Sequence, residues 1–186
     1  MALAREGGPG AVVLREATRR AGVAPSAAYR HFADRQALLD AVCSTCQALV
    51  AQAIEADQAL IDSTDPVEAA RLRFRAVGTG YLRFALEQPG QFQTAFSAAS
   101  DMDSATSSAR AGHSGFTPFQ LLTRALDDLV AVGLLPAERR SASEFLAWSA
   151  VHGLAELFID GPLRALPGPV KQGLITRVID MVEQGL

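Results

Sequence analysis

The sequence predicts an all-α protein, with a short helix-turn-helix at its N-terminus, led by barely more than one helical turn, and a larger helical bundle behind it. Three observations carry this expectation. Apolar residues recur at three- and four-residue intervals along most of the chain, and strand-like alternation is nearly absent. Alanine, the strongest helix former, is abundant, whereas aromatic residues make up only 6%. Breakers built on proline and glycine then cut the periodic stretches into pieces of helical length. The 186 residues suffice for a small module fused to a larger one, and the expected division is 1–45 and 46–186.

The elements follow in order. Ala2 to Glu6 precedes the breaker Gly7-Gly8-Pro9-Gly10 and offers barely more than one turn, too little for a helix stable on its own. A helix over 13–21 closes at Gly22, the usual residue just past a helix C-terminus. Val13 has no side-chain oxygen to cap it, a loss of about 1 kcal/mol. Pro25 suits the first position of a short helix reaching about residue 31, and Asp34 caps a long one over 35–60. Asp65-Pro66 opens a helix over 66–87, and Pro89-Gly90 stops it. A short helix is expected over 91–99, then a mobile loop over 100–115, where Ser, Ala, Asp and Gly show no periodicity. Helices over 117–132, 137–159 and 170–183 bring the total to eight or nine.

Charge is unevenly placed. Residues 1–40 hold six arginines against four acids, and the rest hold eleven bases against sixteen acids. A basic head on an acidic body suits a protein that sets one end on nucleic acid. No apolar run approaches the roughly 20 residues that cross a bilayer, and no apolar leader opens the chain, so a cytoplasmic protein without membrane contact is expected.

The informative stretch runs from Val13 to Leu39. Leu14, Ala17, Ala21 and Val23 supply an apolar face that locks the two short helices together, and Ala28 and Phe32 continue it at i and i+4. The second helix is left to present Ser26, Ala27, Tyr29, Arg30 and His31 outward. Small residues at its start allow close approach to base edges, and Tyr29 and His31 can donate to phosphates. Arg30 can bond guanine O6 and N7 together.

Ala21-Gly22-Val23, then Tyr29-Arg30-His31-Phe32, a basic residue at 35 and Leu38-Leu39, resembles the signature of the TetR family of bacterial regulators over about thirty residues. The resemblance implies that Tyr29 and His31 contact the DNA backbone, and that Arg35 pairs with a phosphate where the family usually has lysine. It places Ser26, Ala27 and Arg30 at or near the bases, with Arg15 reaching DNA from the preceding helix. It further implies a homodimer on a palindromic operator, acting as a repressor released by a small apolar or amphipathic effector. Two departures stand against this pattern: the truncated first helix, and Val13 where threonine or serine is usual. Weakened operator binding is the expected consequence, and the alternative function is a small-molecule-binding helical dimer with impaired DNA binding. A helical enzyme ranks far lower, because no catalytic constellation is present; neither cofactor nor metal is expected.

Past residue 45 the resemblance thins to one element. Trp148, His152 and Gly153 resemble the W-x-x-x-H-G element of one C-terminal class of the family, and Trp148 and His152 share a helix face. They shape either the core and dimer seam or an effector pocket. Phe74, Tyr81, Phe84 and Phe119 join them as pocket candidates, and Phe92, Phe96 and Phe145 suit core or pocket alike. The last two long helices are expected to form the dimer interface, through Phe145, Leu146, Ala150, Leu154, Leu157 and Phe158 on one and Ile175, Val178, Ile179 and Val182 on the other. Cys43 and Cys46 form a C-x-x-C inside a helix, where a thiolate gains nothing from the helix dipole, so packing is the better reading.

Overall fold

A computed structural model describes residues 1–97 and 102–186. The described residues form helices and turns without a strand, nine α-helices in all: α1 (Ala2–Gly7), α2 (Leu14–Ala21), α3 (Pro25–Ala28), α4 (Arg35–Gln58), α5 (Pro66–Glu87), α6 (Pro89–Ala95), α7 (Pro118–Ala131), α8 (Ser143–Ile159) and α9 (Gly168–Gly185). The boundaries set by chemistry came out close to expectation. Asp34 caps α4 by accepting from the Ala37 N–H, Asp65 does the same for Val67 with Pro66 behind it, and Thr117 with Gln120 forms a reciprocal capping box on α7. Val13 caps α2 without a side-chain hydrogen bond, as expected.

Three segments depart from expectation. The helix expected over 137–159 is broken: a 3-10 turn spans Ala137–Arg139, and α8 begins only after Ala142, whose φ is 62°. Arg140 draws the break together, pairing with Asp127 at 2.8 Å and Glu144 at 2.7 Å. The loop expected over 100–115 carries 3-10 turns at Met102–Thr106 and Ser108–Arg110 in its described part. The helix expected over 91–99 starts earlier, at Pro89, and ends at Ala95; residues 98 and 99 lie outside the described residues.

The core forms where α4 and α5 cross, with α6, α7, α8 and α9 packed around them. α4 is long and apolar enough, by length and composition, to cross a membrane, although its apolar residues form no unbroken run. Within the chain its Cys43, Cys46, Val50, Ala51 and Ile54 are wholly buried. A Cβ on Gly80 would lie 2.7 Å from Ile54 Cα and 2.8 Å from the Ala53 carbonyl oxygen, so α5 and α4 touch backbone to backbone there. Ion pairs fix the outer faces: Arg83 of α5 holds Asp57 of α4 at 2.7 Å, and Arg75 holds Asp180 of α9, also at 2.7 Å. The thiols pack as expected. Burial pushes Cys46 up to about 12, and Cys43 donates to the Ala95 carbonyl.

α1, though short, is tied down. Its Leu3 and Ala4 are buried, and it lies against α6 so closely that a Cβ on Gly90 would collide with the Ala4 carbonyl oxygen. Tertiary packing therefore supplies what a six-residue helix cannot supply alone.

Candidate nucleic-acid interface and ligand cavity

Gly22 adopts φ 67°, ψ 26°, the left-handed conformation in which the Val23 N–H reaches back to the Thr18 carbonyl and ends α2. That turn sets α3 across the end of α2; Leu14, Ala17 and Phe32 pack against the core, but Ala21 and Val23, expected in the locking face, are exposed, Val23 at 47%. Thr18 is buried, and its hydroxyl bonds the Arg15 carbonyl within its own helix. α3 is a single turn, shorter than expected, and Tyr29, Arg30 and His31 follow it in turn conformation, with the Phe32 N–H bonded to the Ala28 carbonyl.

The sequence-predicted DNA-contacting residues lie on the outside of this head. Arg15, Ser26, Tyr29, Arg30, His31 and Arg35 are exposed, Tyr29 at 60%, and Ala27 is half-buried. Their neighbours sort the arginines by use. Arg19 and Arg20 hold Glu16, whose carboxyl their hydrogen bonds bring down to about 2, and Arg20 also bonds Glu6 at 2.7 Å, tying α1 to α2. Arg15 and Arg30 have no ion pair among the described residues, which leaves both cations for an outside anion. Arg35 lies between these cases. Its guanidinium donates to the Val12 carbonyl at 3.0 Å and to that of Pro9 at 2.9 Å, so it anchors the loop before α2 to the start of α4 while keeping its charge at the surface.

A second site lies in the bundle. A cavity of about 450 Å³ opens between α4, α5, α7, α8 and α9, within the range of small-molecule pockets. Phe74, Tyr81, Phe119, Trp148 and His152, five of the six sequence-predicted pocket residues, line it. Phe84 does not; it sits one turn beyond Tyr81, buried in the core at 7% exposure. Gln47 and Ile54 of α4, Gly78 and Arg110 also line it, and Phe96 completes the aromatic wall. Gln47 was hidden in the sequence because a glutamine in a long helix reads as solvent-facing. Arg110 was hidden because it lies in the segment without periodicity; it is buried and has a partner within the chain.

The polar groups of the cavity are few and ordered. Trp148 donates its indole N–H to the Tyr81 hydroxyl at 3.2 Å, and that hydroxyl lies 2.8 Å from His152 Nδ1. Phe96 and His152 meet edge to face, ring centroids 5.1 Å apart, and Phe92 stands 5.7 Å from the same imidazole. Burial lowers the His152 pKa, against the opposing pull of Glu156, and burial raises that of Tyr81. His152 is thus held neutral in the fold, whereas an unfolded histidine takes a proton near pH 6.5. Its contribution to stability is complete above that pH and is lost as the pH falls through the lower folded value. Thermal midpoints are expected to fall more steeply below about pH 6.5 in the wild type than in His152→Phe; parallel curves would show that this imidazole is not the group.

Gln47 donates its side-chain N–H to the Ala95 carbonyl at 2.8 Å, fixing α6 to α4 beside the cavity. Glu55, next to Ile54 on α4, accepts from the backbone N–H groups of His113 and Ser114, both at 2.9 Å. Burial works to raise the Glu55 pKa, but the Ser114 and His113 hydrogen bonds outweigh it and hold the carboxyl below its ordinary value.

Residues 1–42 match the family described as bacterial regulatory proteins, tetR family. Residues 74–182, more than half the chain, match the tetracyclin repressor-like C-terminal domain. The chain is also similar to a solved structure titled as a protein with unknown function from Rhodococcus sp. RHA1. That likeness has 27% identity and a TM-score of 0.73, and covers 100% of this chain and 90% of that one. No curated protein matches. With an exposed helix-turn-helix at one end and family matches over both the head and the cavity-bearing bundle, the chain belongs to the TetR family of DNA-binding transcriptional regulators.

Proposed function

We propose that this regulator is a repressor whose 1–45 head holds a palindromic operator as a homodimer, and that a small apolar or amphipathic effector in the 46–186 body releases it. One observation carries the reading. α4 is a single unbroken helix with Arg35 at its start, bonded to the Pro9 and Val12 carbonyls of the head, and with Gln47 and Ile54 in the cavity wall. At 1.5 Å per residue, Arg35 and Gln47 are about 18 Å apart along one rigid element. A ligand that fits the cavity only when α4 has shifted therefore also moves the head. It must favour the DNA-incompetent arrangement, since equal affinity for both shifts nothing.

The dimer reading rests on what the bundle leaves uncovered. Phe145, Leu146 and Leu157 of α8 and Met181 of α9 are 42–63% exposed. Phe145, Ser149, Gly153 and Leu157 follow at four-residue spacing on one stripe, and the site of a Cβ on Gly153 is open. Leu154, Phe158, Ile175, Ile179 and Val182, expected at the seam, are instead buried in this chain's own core. The proposed seam is accordingly narrower than the sequence suggested. Cytoplasmic location follows from this role.

Selection of random-sequence DNA by the purified protein tests the reading. The expected winner is a two-fold symmetric site with half-sites one helical turn apart. Small molecules that raise the thermal midpoint are expected to lower operator affinity, and operator DNA to lower theirs by the same factor. A monomer that selects no symmetric sequence would refute the proposal.

A further inference from the structure

The cavity's hydrogen bonds narrow the chemistry of what fits it. The Tyr81 hydroxyl has two partners among the described residues, Trp148 and His152. Indole N–H is only a donor, so at this contact the tyrosine oxygen accepts. Burial keeps the phenol protonated, and its single proton needs an acceptor. His152 Nδ1, 2.8 Å away, is the acceptor at hand. The chain of donors then runs in one direction, from Trp148 to Tyr81 to His152, and it fixes the imidazole as the neutral tautomer that carries its proton on Nε2. Nε2–H has no acceptor among the described residues, and the ring is part of the cavity wall.

Gln47 is fixed by the same reasoning. The Ala95 carbonyl can only accept, so the amide nitrogen of Gln47 faces it and the amide oxygen is left over at the cavity. Around these two groups the wall is mostly aromatic and aliphatic. No acid is present among the described lining residues, and their one full cation, Arg110, already has a partner within the chain. An ammonium ligand would meet the Nε2–H donor and no carboxylate in the described lining. A carboxylate would leave water for an apolar wall whose cation is engaged.

We propose that the cavity takes a neutral, largely apolar ligand bearing a carbonyl-type oxygen, which accepts the hydrogen bond from His152 Nε2–H. A hydroxyl or amide proton elsewhere on the same ligand donates to Gln47 Oε1. The inference rests on the cavity being the effector site, and it adds the polarity of the effector to that reading.

Two measurements on the full chain test it. Trp148 is the only tryptophan and lines the cavity, so its emission reports occupancy there. Titration with 2-undecanone, undecanoate and undecylamine compares three headgroups on one apolar tail. The ketone is expected to bind about tenfold more tightly than either ion, and His152→Phe to lose most of that preference, the loss expected for one buried hydrogen bond. Tyr81→Phe, which removes the group that fixes the tautomer, is expected to weaken ketone binding by a smaller factor. Independently, the ring ¹⁵N signals of His152 are read in a His31→Gln, His113→Gln variant, both substitutions being at exposed positions. The Nε2–H pattern is expected at pH 7.5.

Tighter binding of undecanoate or undecylamine, or the Nδ1–H tautomer or an imidazolium at that pH, overturns the ligand class and leaves the cavity as a binding site. Failure of all three probes to change Trp148 emission in the folded protein overturns the effector-site reading and the inference together.

Discussion

Gly80→Val is expected to lower the thermal midpoint by about 4–8 °C, the net of a cost at the upper end of overpacking and a helix-propensity gain. The sign has to be decided between two effects. Replacing a mid-helix glycine gains up to about 1 kcal/mol from helix propensity. Against this, the added Cβ would sit 2.7 Å from Ile54 Cα and 2.8 Å from the Ala53 carbonyl oxygen. These are backbone atoms, which cannot rotate aside as a side chain can, so α4 and α5 must separate along their crossing. Overpacking of this kind costs about 1–3 kcal/mol, and here it is concentrated on the most buried stretch of the chain. Gly78→Ala is the control, because its Cβ would meet only side chains, Ile179 at 3.1 and 3.2 Å and Val151 at 3.8 Å. Midpoints are compared at one protein concentration, since a dimer makes them depend on it. If the two variants melt alike, backbone contact at Gly80 does not hold the crossing. Because α4 also carries Arg35 and Gln47, Gly80→Val is further expected to weaken operator and cavity ligands together.

The sequence was most readable where one residue type has one structural use. Gly22 marked the turn through its positive φ, Asp34 and Asp65 marked helix starts, and Pro66 set the first turn of α5. The recognition motif was readable in part for a related reason: Leu14, Ala17 and Phe32 pack against the core, whereas Ala21 and Val23, equally apolar in the sequence, stay exposed. Periodicity ran out where a helix is apolar on more than one side. α8 has Leu154 and Phe158 inward and Phe145, Leu146 and Leu157 outward, and no pattern within the helix says which face the chain itself covers. The same ambiguity separated Tyr81 from Phe84. Both lie on the inner side of α5, but the cavity ends between them, and only the position of α8 shows where. The polar lining residues were hidden for a different cause. Gln47 acquires its role from the Ala95 carbonyl of α6, 48 residues away in sequence, and Trp148 and His152 meet Tyr81 across 67 and 71 residues. Such pairings belong to the packed state, and one sequence holds no local record of them.

Arg30→Ala is expected to give the largest loss of DNA binding, and to do so selectively. Arg30 is exposed beside α3 and has no ion pair among the described residues, so its fork of donors is free to meet a base edge. A bidentate contact to guanine discriminates by about 1–3 kcal/mol, and a two-fold dimer makes it twice, so the whole operator loses about 2–6 kcal/mol. The loss is expected to come with relaxed base preference at one symmetric pair of positions. Arg15→Ala separates base reading from charge. A phosphate contact carries no sequence information, so its removal is expected to weaken all DNA sequences alike. It should also flatten the salt dependence of log K by about 0.9 for each contact, or about 2 for the dimer. Arg19→Ala supplies the baseline, because that cation is already paired with Glu16 at 2.7 Å and has less to give a phosphate. Affinities of all three variants are measured at several salt concentrations on the selected operator and on a scrambled one. An Arg30→Ala protein that keeps its base preference and loses only salt dependence would move Arg30 from the bases to the backbone, and the reading of α3 as the sequence-sensing element would fall with it.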